Sequence, residues 1–186
     1  DITAMGALGV GVDGLIACGN ECGGRVGDDT TFVLVQRLLA VNLAPVYARG
    51  GIGLATATGC RVAGARGIVL DDQLLLTPES PLRAAWRQQL HGLTGQETVM
   101  LGTGAHAIRV FDRPVFAALA GLKRHAQAME SGDQSAADTW HALTDAALAW
   151  DEPATSVWPA GQAILLAERY HQRFGNTRAI IAHFAA

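Results

Sequence analysis

The sequence predicts an α/β fold: parallel strands in a segment of a larger barrel, followed by a mostly helical appendage. Three observations predict it. Over residues 1–78, short apolar runs alternate with glycine-rich loops and helical stretches, strand–loop–helix twice and then a strand again. Such βα repetition implies parallel strands. The runs are apolar throughout, as in strands buried on both faces. Beyond residue 78 the apolar residues recur at helical spacing, so residues 79–186 read as a second, mostly helical region. Three strands do not make a self-sufficient open sheet: either the sheet is small and covered by the C-terminal helices, or, the favoured expectation, it is the later part of a larger barrel. The chain reads as if it began in the middle of that pattern.

Taken in order, residues 2–8 read as the end of a helix and 12–17 as the first strand. Residues 30–41 carry helical spacing, with Asp28 or Asp29 available as N-cap. Residues 45–48 form the second strand, stopped by Gly50 and Gly51. Residues 54–63 read as a helix of small residues closed by Gly64. Residues 67–70 form the third strand. Further on, 81–90 looks helical, 94–103 reads as loop and 107–111 as an edge strand. Residues 115–129, 136–150, 160–174 and 177–184 read as amphipathic helices, with breaks at 132–135 and 151–153. Trp140, Trp150 and Trp158 are expected to anchor the core of this region.

Composition narrows the function. Hydrophobic residues make up 49% and charged residues 17%, enough apolar material for a core. The net charge is −3 with no basic stripe, which speaks against a nucleic-acid partner. No apolar run approaches the roughly 18 residues that span a bilayer, and the N-terminus lacks the features of a signal peptide. Cys18, Cys22 and Cys60 lack the paired spacing of a zinc site and read as reduced, cytosolic thiols. The six histidines are scattered, with no metal-binding spacing. A cytoplasmic protein without a metal is expected.

The chemistry is concentrated in three stretches. "LIACGNECGGRVG", at 15–27, ends a strand in a loop too rich in glycine for a simple turn. "PVYARGGIG", at 45–53, repeats the arrangement ahead of a helix, and "AGARGIVLDDQLLLT", at 63–77, ends the third strand in two carboxylates. Glycine-rich loops at strand ends let backbone N–H groups approach an anion, and a following helix adds its dipole.

In order and spacing these stretches resemble the nitronate monooxygenase (nitropropane dioxygenase-like) family, in the version found in bacterial polyketide and polyunsaturated-fatty-acid synthases. "WDEPATSVWPAGQ", at 150–162, resembles the helical tail of that version. The resemblance implies the C-terminal half of a TIM barrel that binds FMN. It implies that Gly23 and Gly24 line the flavin, that Gly50, Gly51 and Gly53 hold its phosphate, and that Glu21 orients the first loop or caps a helix. Gln162 would reach the flavin mouth. Asp71 and Asp72 stand where the family has a phosphate-contacting Gly-Thr pair, which makes Asp72 a candidate cofactor-side residue. Two carboxylates there need a cation, such as Arg49, or else Asp71 caps the next helix. Cys18 replaces a Gln or Lys and is expected to be a small buried residue.

Arg25 occupies the family's catalytic His position. An arginine does not act as a base, but it can bind an anionic substrate or stabilise an enolate. Otherwise it is a surface residue paired with Asp28. The implied activity is FMN-dependent reduction of an enoyl thioester, with nitronate oxidation as the alternative. A non-catalytic docking remnant is the competing reading. The implied partners are an acyl thioester or other small molecule and the rest of a multidomain synthase, or a second chain that completes the barrel.

Overall fold

The computed structural model describes residues 11–41 and 44–185; the helix expected over 2–8 lies outside them. Two small sheets organise the described residues. In the first, β1 (Leu15–Cys18), β3 (Val46–Arg49) and β4 (Gly67–Val69) are parallel in the order β1-β3-β4. In the second, β2 (Gly24–Arg25), β6 (Ile108–Phe111) and β5 (Thr98–Leu101) are antiparallel in the order β2-β6-β5.

The parallel sheet is the βα repeat expected from the sequence. Helix α1 (Thr31–Val41) and helix α2 (Leu54–Ala63) connect its strands. They cover one face through Val35, Ala57 and Cys60, against Ala17, Val46, Ala48 and Ile52. Among the described residues β1 and β4 are the open edges of this sheet, and Ile16 on β1 is 58% exposed. Helix α2 ends as expected at Gly64, whose amide bonds the carbonyl of Arg61 at 3.0 Å.

Neither Asp28 nor Asp29 caps α1. Asp29 pairs with Arg37, and Asp28 accepts the amide of Gly104 at 2.9 Å. The cap comes from Glu21 in the preceding loop, whose carboxylate accepts the amide of Thr31 at 2.8 Å. A side chain ten residues upstream can do this because the loop folds back over the helix start.

The second sheet departs further from expectation. Residues 98–101 form β5 inside the stretch that reads as loop, because β6 pairs with them from Thr98↔Phe111 to Leu101↔Ile108. Residues 24–25 form β2, paired as Gly24↔Arg109 and Arg25↔Ile108. β6 is therefore the central strand of its sheet and not an edge, and all four of its residues are buried. Pairing across more than eighty residues leaves no local signature. It also runs across the boundary expected at residue 78: β2 comes from the first region, its partner from the second.

Helices α4 (Ala117–Glu130) and α5 (Gln134–Ala147) pack as a hairpin beside this sheet. Residues 81–90 hold only a short helix, α3 (Ala84–Arg87), and a 3₁₀ turn. The helix expected from residue 160 begins later, as α6 (Leu165–Phe174), and α7 (Thr177–Ala185) follows. Trp140 and Trp158 are fully buried, and Trp150 packs against the same core. The ring of Trp158 stacks on Phe111 at 6.0 Å and 12° and meets Trp150 at 5.2 Å and Trp86 at 5.6 Å. Its indole N–H donates to the carbonyl of Asp151 at 2.9 Å. A tryptophan this enclosed needs such an acceptor.

Candidate functional site

The chemistry-bearing loops leave the C-terminal ends of β1, β3 and β4, the end at which parallel α/β sheets bind ligands. A hollow of about 1060 Å³ lies elsewhere, lined by residues such as Pro45, Arg61, Arg66 and Gly67, and holds none of the expected site residues.

At the productive end, Glu21 holds the loops together. Its Oε2 accepts from the Thr31 amide at 2.8 Å and from the Thr31 hydroxyl at 2.9 Å. The Thr31 hydroxyl also lies 2.9 Å from the Arg49 carbonyl, and the Cys22 thiol donates to that same carbonyl at 3.1 Å. Behind them the chain turns sharply: Gly50 has φ +102° and Gly51 φ +62°, a conformation that L side chains rarely adopt. Gly51 thereby sits against the Glu21 side chain and brings Gly53 to the start of α2.

A cavity of about 540 Å³ opens beside this turn, with Glu21, Gly51, Gly53, Gln162, Arg169 and Tyr170 in its wall. Burial raises the pKa of Tyr170, against the opposing effect of the Leu54 backbone at the start of α2. Arg173 also lines the cavity, so two arginines of α6 share its wall with the start of α2. Glu21, Gly51 and Gly53 thus share one cavity wall, which also holds Gln162. Gly50 packs behind the cavity, where a Cβ would stand 2.6 Å from the Cys22 sulfur.

The other expected site residues go elsewhere. A Cβ on Gly23 would stand 2.0 Å from the carbonyl oxygen of Pro159. One on Gly161 would stand 2.4 Å from the Glu21 carbonyl oxygen and 2.7 Å from the Gly23 amide nitrogen. Gly23 and Gly24 therefore receive the chain's own segment 159–161 and do not line the cavity. The Gln162 amide secures that segment on the Glu21 carbonyl at 2.8 Å.

Arg25 also turns away. Its guanidinium bonds Asp145 at 2.6 Å, His141 at 2.7 Å and Thr144 at 3.1 Å, all on α5. Its ion-pair partner is Asp145, not Asp28, and Arg25 ties β2 to the helical hairpin.

The paired carboxylates are resolved by their partners. Arg49 Nε donates to Asp71 Oδ2 at 2.9 Å, and Asp71 Oδ1 accepts the Asp72 amide at 2.8 Å. Asp71 thus meets both expectations, the cation and the cap. Asp72 is buried and accepts the Gly161 amide at 2.7 Å. Burial, and then the neighbouring Asp71 charge, push its pKa up to about 8. Near neutral pH, Asp72 is protonated, and Asp71 is balanced by Arg49. The amide of Asp71 is taken by Gln73 Oε1 at 2.9 Å, and Gln73 Nε2 donates to the Ile52 carbonyl at 2.7 Å.

Sequence reasoning missed Arg109, Gln73 and the α6 residues Arg169 and Tyr170. Arg109, on the buried strand β6, donates through Nε to the Asn20 carbonyl and through a terminal nitrogen to Thr98 Oγ1 at 3.2 Å. It fixes the first glycine loop from the far sheet. An arginine within the apolar run "AIRVF" was a readable signal; the others had none.

No known family's sequence model matches this chain. Rv1533 of Mycobacterium tuberculosis, provisionally named a monooxygenase, is 32% identical over 115 residues, covering 56% of this chain and 31% of that protein. The structure of the FabK M276A mutant from Thermotoga maritima matches with a TM-score of 0.63 and 27% identity, over 88% of this chain and 49% of FabK. A second FabK structure from that organism matches with a TM-score of 0.64 and 24% identity, over 88% of this chain and 51% of FabK. The chain spans about a third of Rv1533 and about half of FabK. Its mixed α/β architecture with a parallel sheet is therefore similar to half of the FabK fold.

Proposed function

We propose that this chain is the C-terminal part of an FMN-type oxidoreductase barrel of the nitronate monooxygenase-like class, and that it reduces enoyl thioesters. The observation that carries this reading is the cavity between the Gly51–Gly53 turn, the start of α2 and Arg169. Its wall supports a phosphate site through glycines without side chains, the first turn of a ten-residue helix and two arginines. The carboxylates at 71 and 72 do not oppose it, since one is offset by Arg49 and the other is protonated near neutral pH. Bound FMN supplies a carrier of hydride. Gly51, Gly53, Arg169 and Arg173 would hold its phosphate, while Glu21 keeps the turn in shape. The similarity to Rv1533 and FabK supports the class.

Reduction is favoured over nitronate oxidation because no base stands at position 25. Arg25 carries a permanent charge and is held by Asp145. The acyl thioester, and a synthase or second chain supplying the rest of the barrel, belong to the same proposal. A docking role is the second reading, favoured by segment 159–161 filling the space at Gly23.

Titrating FMN into the purified chain, and into any longer parent, while following flavin absorbance and fluorescence tests these readings. Saturable binding that Arg169→Glu weakens about tenfold or more, as loss of one charge-assisted contact does, supports the oxidoreductase. Flavin bound by neither protein leaves the docking reading.

A further inference from the structure

Cys18 and Cys22 play no part in that function, yet the fold brings them together. Cys18 is the last residue of β1, and register sets it beside Arg49 on β3. The chain then turns back, with the Cys22 amide bonding the Gly19 carbonyl at 3.0 Å. Cys18 packs against the small buried cluster formed by Cys22, Val26 and Ala107. The two thiols differ in access: Cys22 is fully buried and Cys18 is partly open. Cys22 donates to the Arg49 carbonyl at 3.1 Å.

We propose that Cys18 and Cys22 are a redox-active pair, in which Cys18 reacts with a peroxide and Cys22 resolves it to an 18–22 disulfide. The Cys18 thiolate attacks a peroxide oxygen; an S–O bond forms, the O–O bond breaks, and the leaving hydroxide takes a proton to become water. Cys22 then attacks the Cys18 sulfur; an S–S bond forms, the S–O bond breaks, and a second water leaves with the Cys22 proton. Two thiols and one hydrogen peroxide give one disulfide and two waters. An external dithiol reverses the step.

The electrostatics agree with these roles. The neighbouring Cys22 side chain, and then the Arg49 charge, lower the pKa of Cys18 against the effect of its burial. That of Cys22 is raised by the neighbouring Cys18 and by burial. A low-pKa, accessible thiol beside a resolving cysteine is what peroxide-sensitive sites require. Closing the bridge removes the Cys22 bond to Arg49. It also reshapes the turn that carries Glu21, which lines the cavity and caps α1. The pair depends only on β1, β3 and their turn, so it stands whether or not flavin binds.

The test uses the reduced chain, equimolar hydrogen peroxide and N-ethylmaleimide as quench. Free thiols should fall from three to one, with Cys60 remaining, and dithiothreitol should restore three. The tryptic peptide 1–25 should lose the mass of two hydrogens. Cys22→Ser should trap a dimedone-reactive sulfenic acid at Cys18, while Cys18→Ser should keep both of its thiols. Should a serine variant fail to fold, wild-type alkylation decides: iodoacetamide should label Cys18 about tenfold or more faster than Cys60. Three surviving thiols, oxidation of Cys60 as fast as Cys18, or equal alkylation rates would overturn the proposal.

Discussion

Replacing Asp72 with asparagine should abolish a large pH dependence of stability. Asp72 is 5% exposed, and its pKa rises from 3.8 to about 8 because burial and Asp71 disfavour its charge. A raised folded-state pKa means that the native chain holds a proton which the unfolded chain has released. Stability therefore falls as pH rises between these two values and levels off above the folded pKa. At about 1.36 kcal/mol per pH unit, a shift of roughly four units bounds the loss at about 5 kcal/mol. An asparagine side chain at this position does not titrate and can still accept the Gly161 amide, at a cost of about 1 kcal/mol for imperfect pairing. Glu79, Glu97 and Glu168 have pKa values lowered by backbone hydrogen bonds, in Glu97 against the opposing effect of burial, so they act below pH 4.5, outside this window. Urea unfolding followed by tryptophan fluorescence from pH 5 to 9 measures the effect. The wild type should lose several kcal/mol across the range, D72N should lose none and gain only where Cys18, whose pKa is lowered, ionises, and the curves should cross. Parallel curves, or a wild type that gains stability towards pH 8, would refute the reasoning.

Three further outcomes follow. Gly23→Ala should destabilise by about 3 kcal/mol or more, since its Cβ meets the Pro159 carbonyl, whereas Gly27→Ala, with nothing within 4 Å, should be nearly neutral in thermal melts. Trp158→Ala should cost about 3–5 kcal/mol in urea midpoints, because the ring is fully buried among Phe111, Phe116 and Trp150. The chain should self-associate through its open strand edges. Ile16→Lys on β1 should shift it toward monomer in sedimentation velocity, and a wild-type monomer would count against the half-barrel reading.

The sequence by itself determined the βα repeat, its parallel strands and the strand-end loops. Each rests on near neighbours: continuous apolar runs, helical spacing, and glycines at 50–51 and 64 where a turn or cap needs them. It also marked Glu21, Gly51 and Gly53, which do share one cavity wall. What those residues face was decided only by tertiary structure. Asp145 draws Arg25 to α5, segment 159–161 takes the space at Gly23, and β5 exists because β6 pairs with it. Asp72 is an ordinary carboxylate until residues far along the chain bury it, and Cys18 is one thiol among three until a turn sets Cys22 beside it. Local propensity acts over a few residues. Burial, register and charge pairing depend on which distant segments arrive, and those set the chemistry.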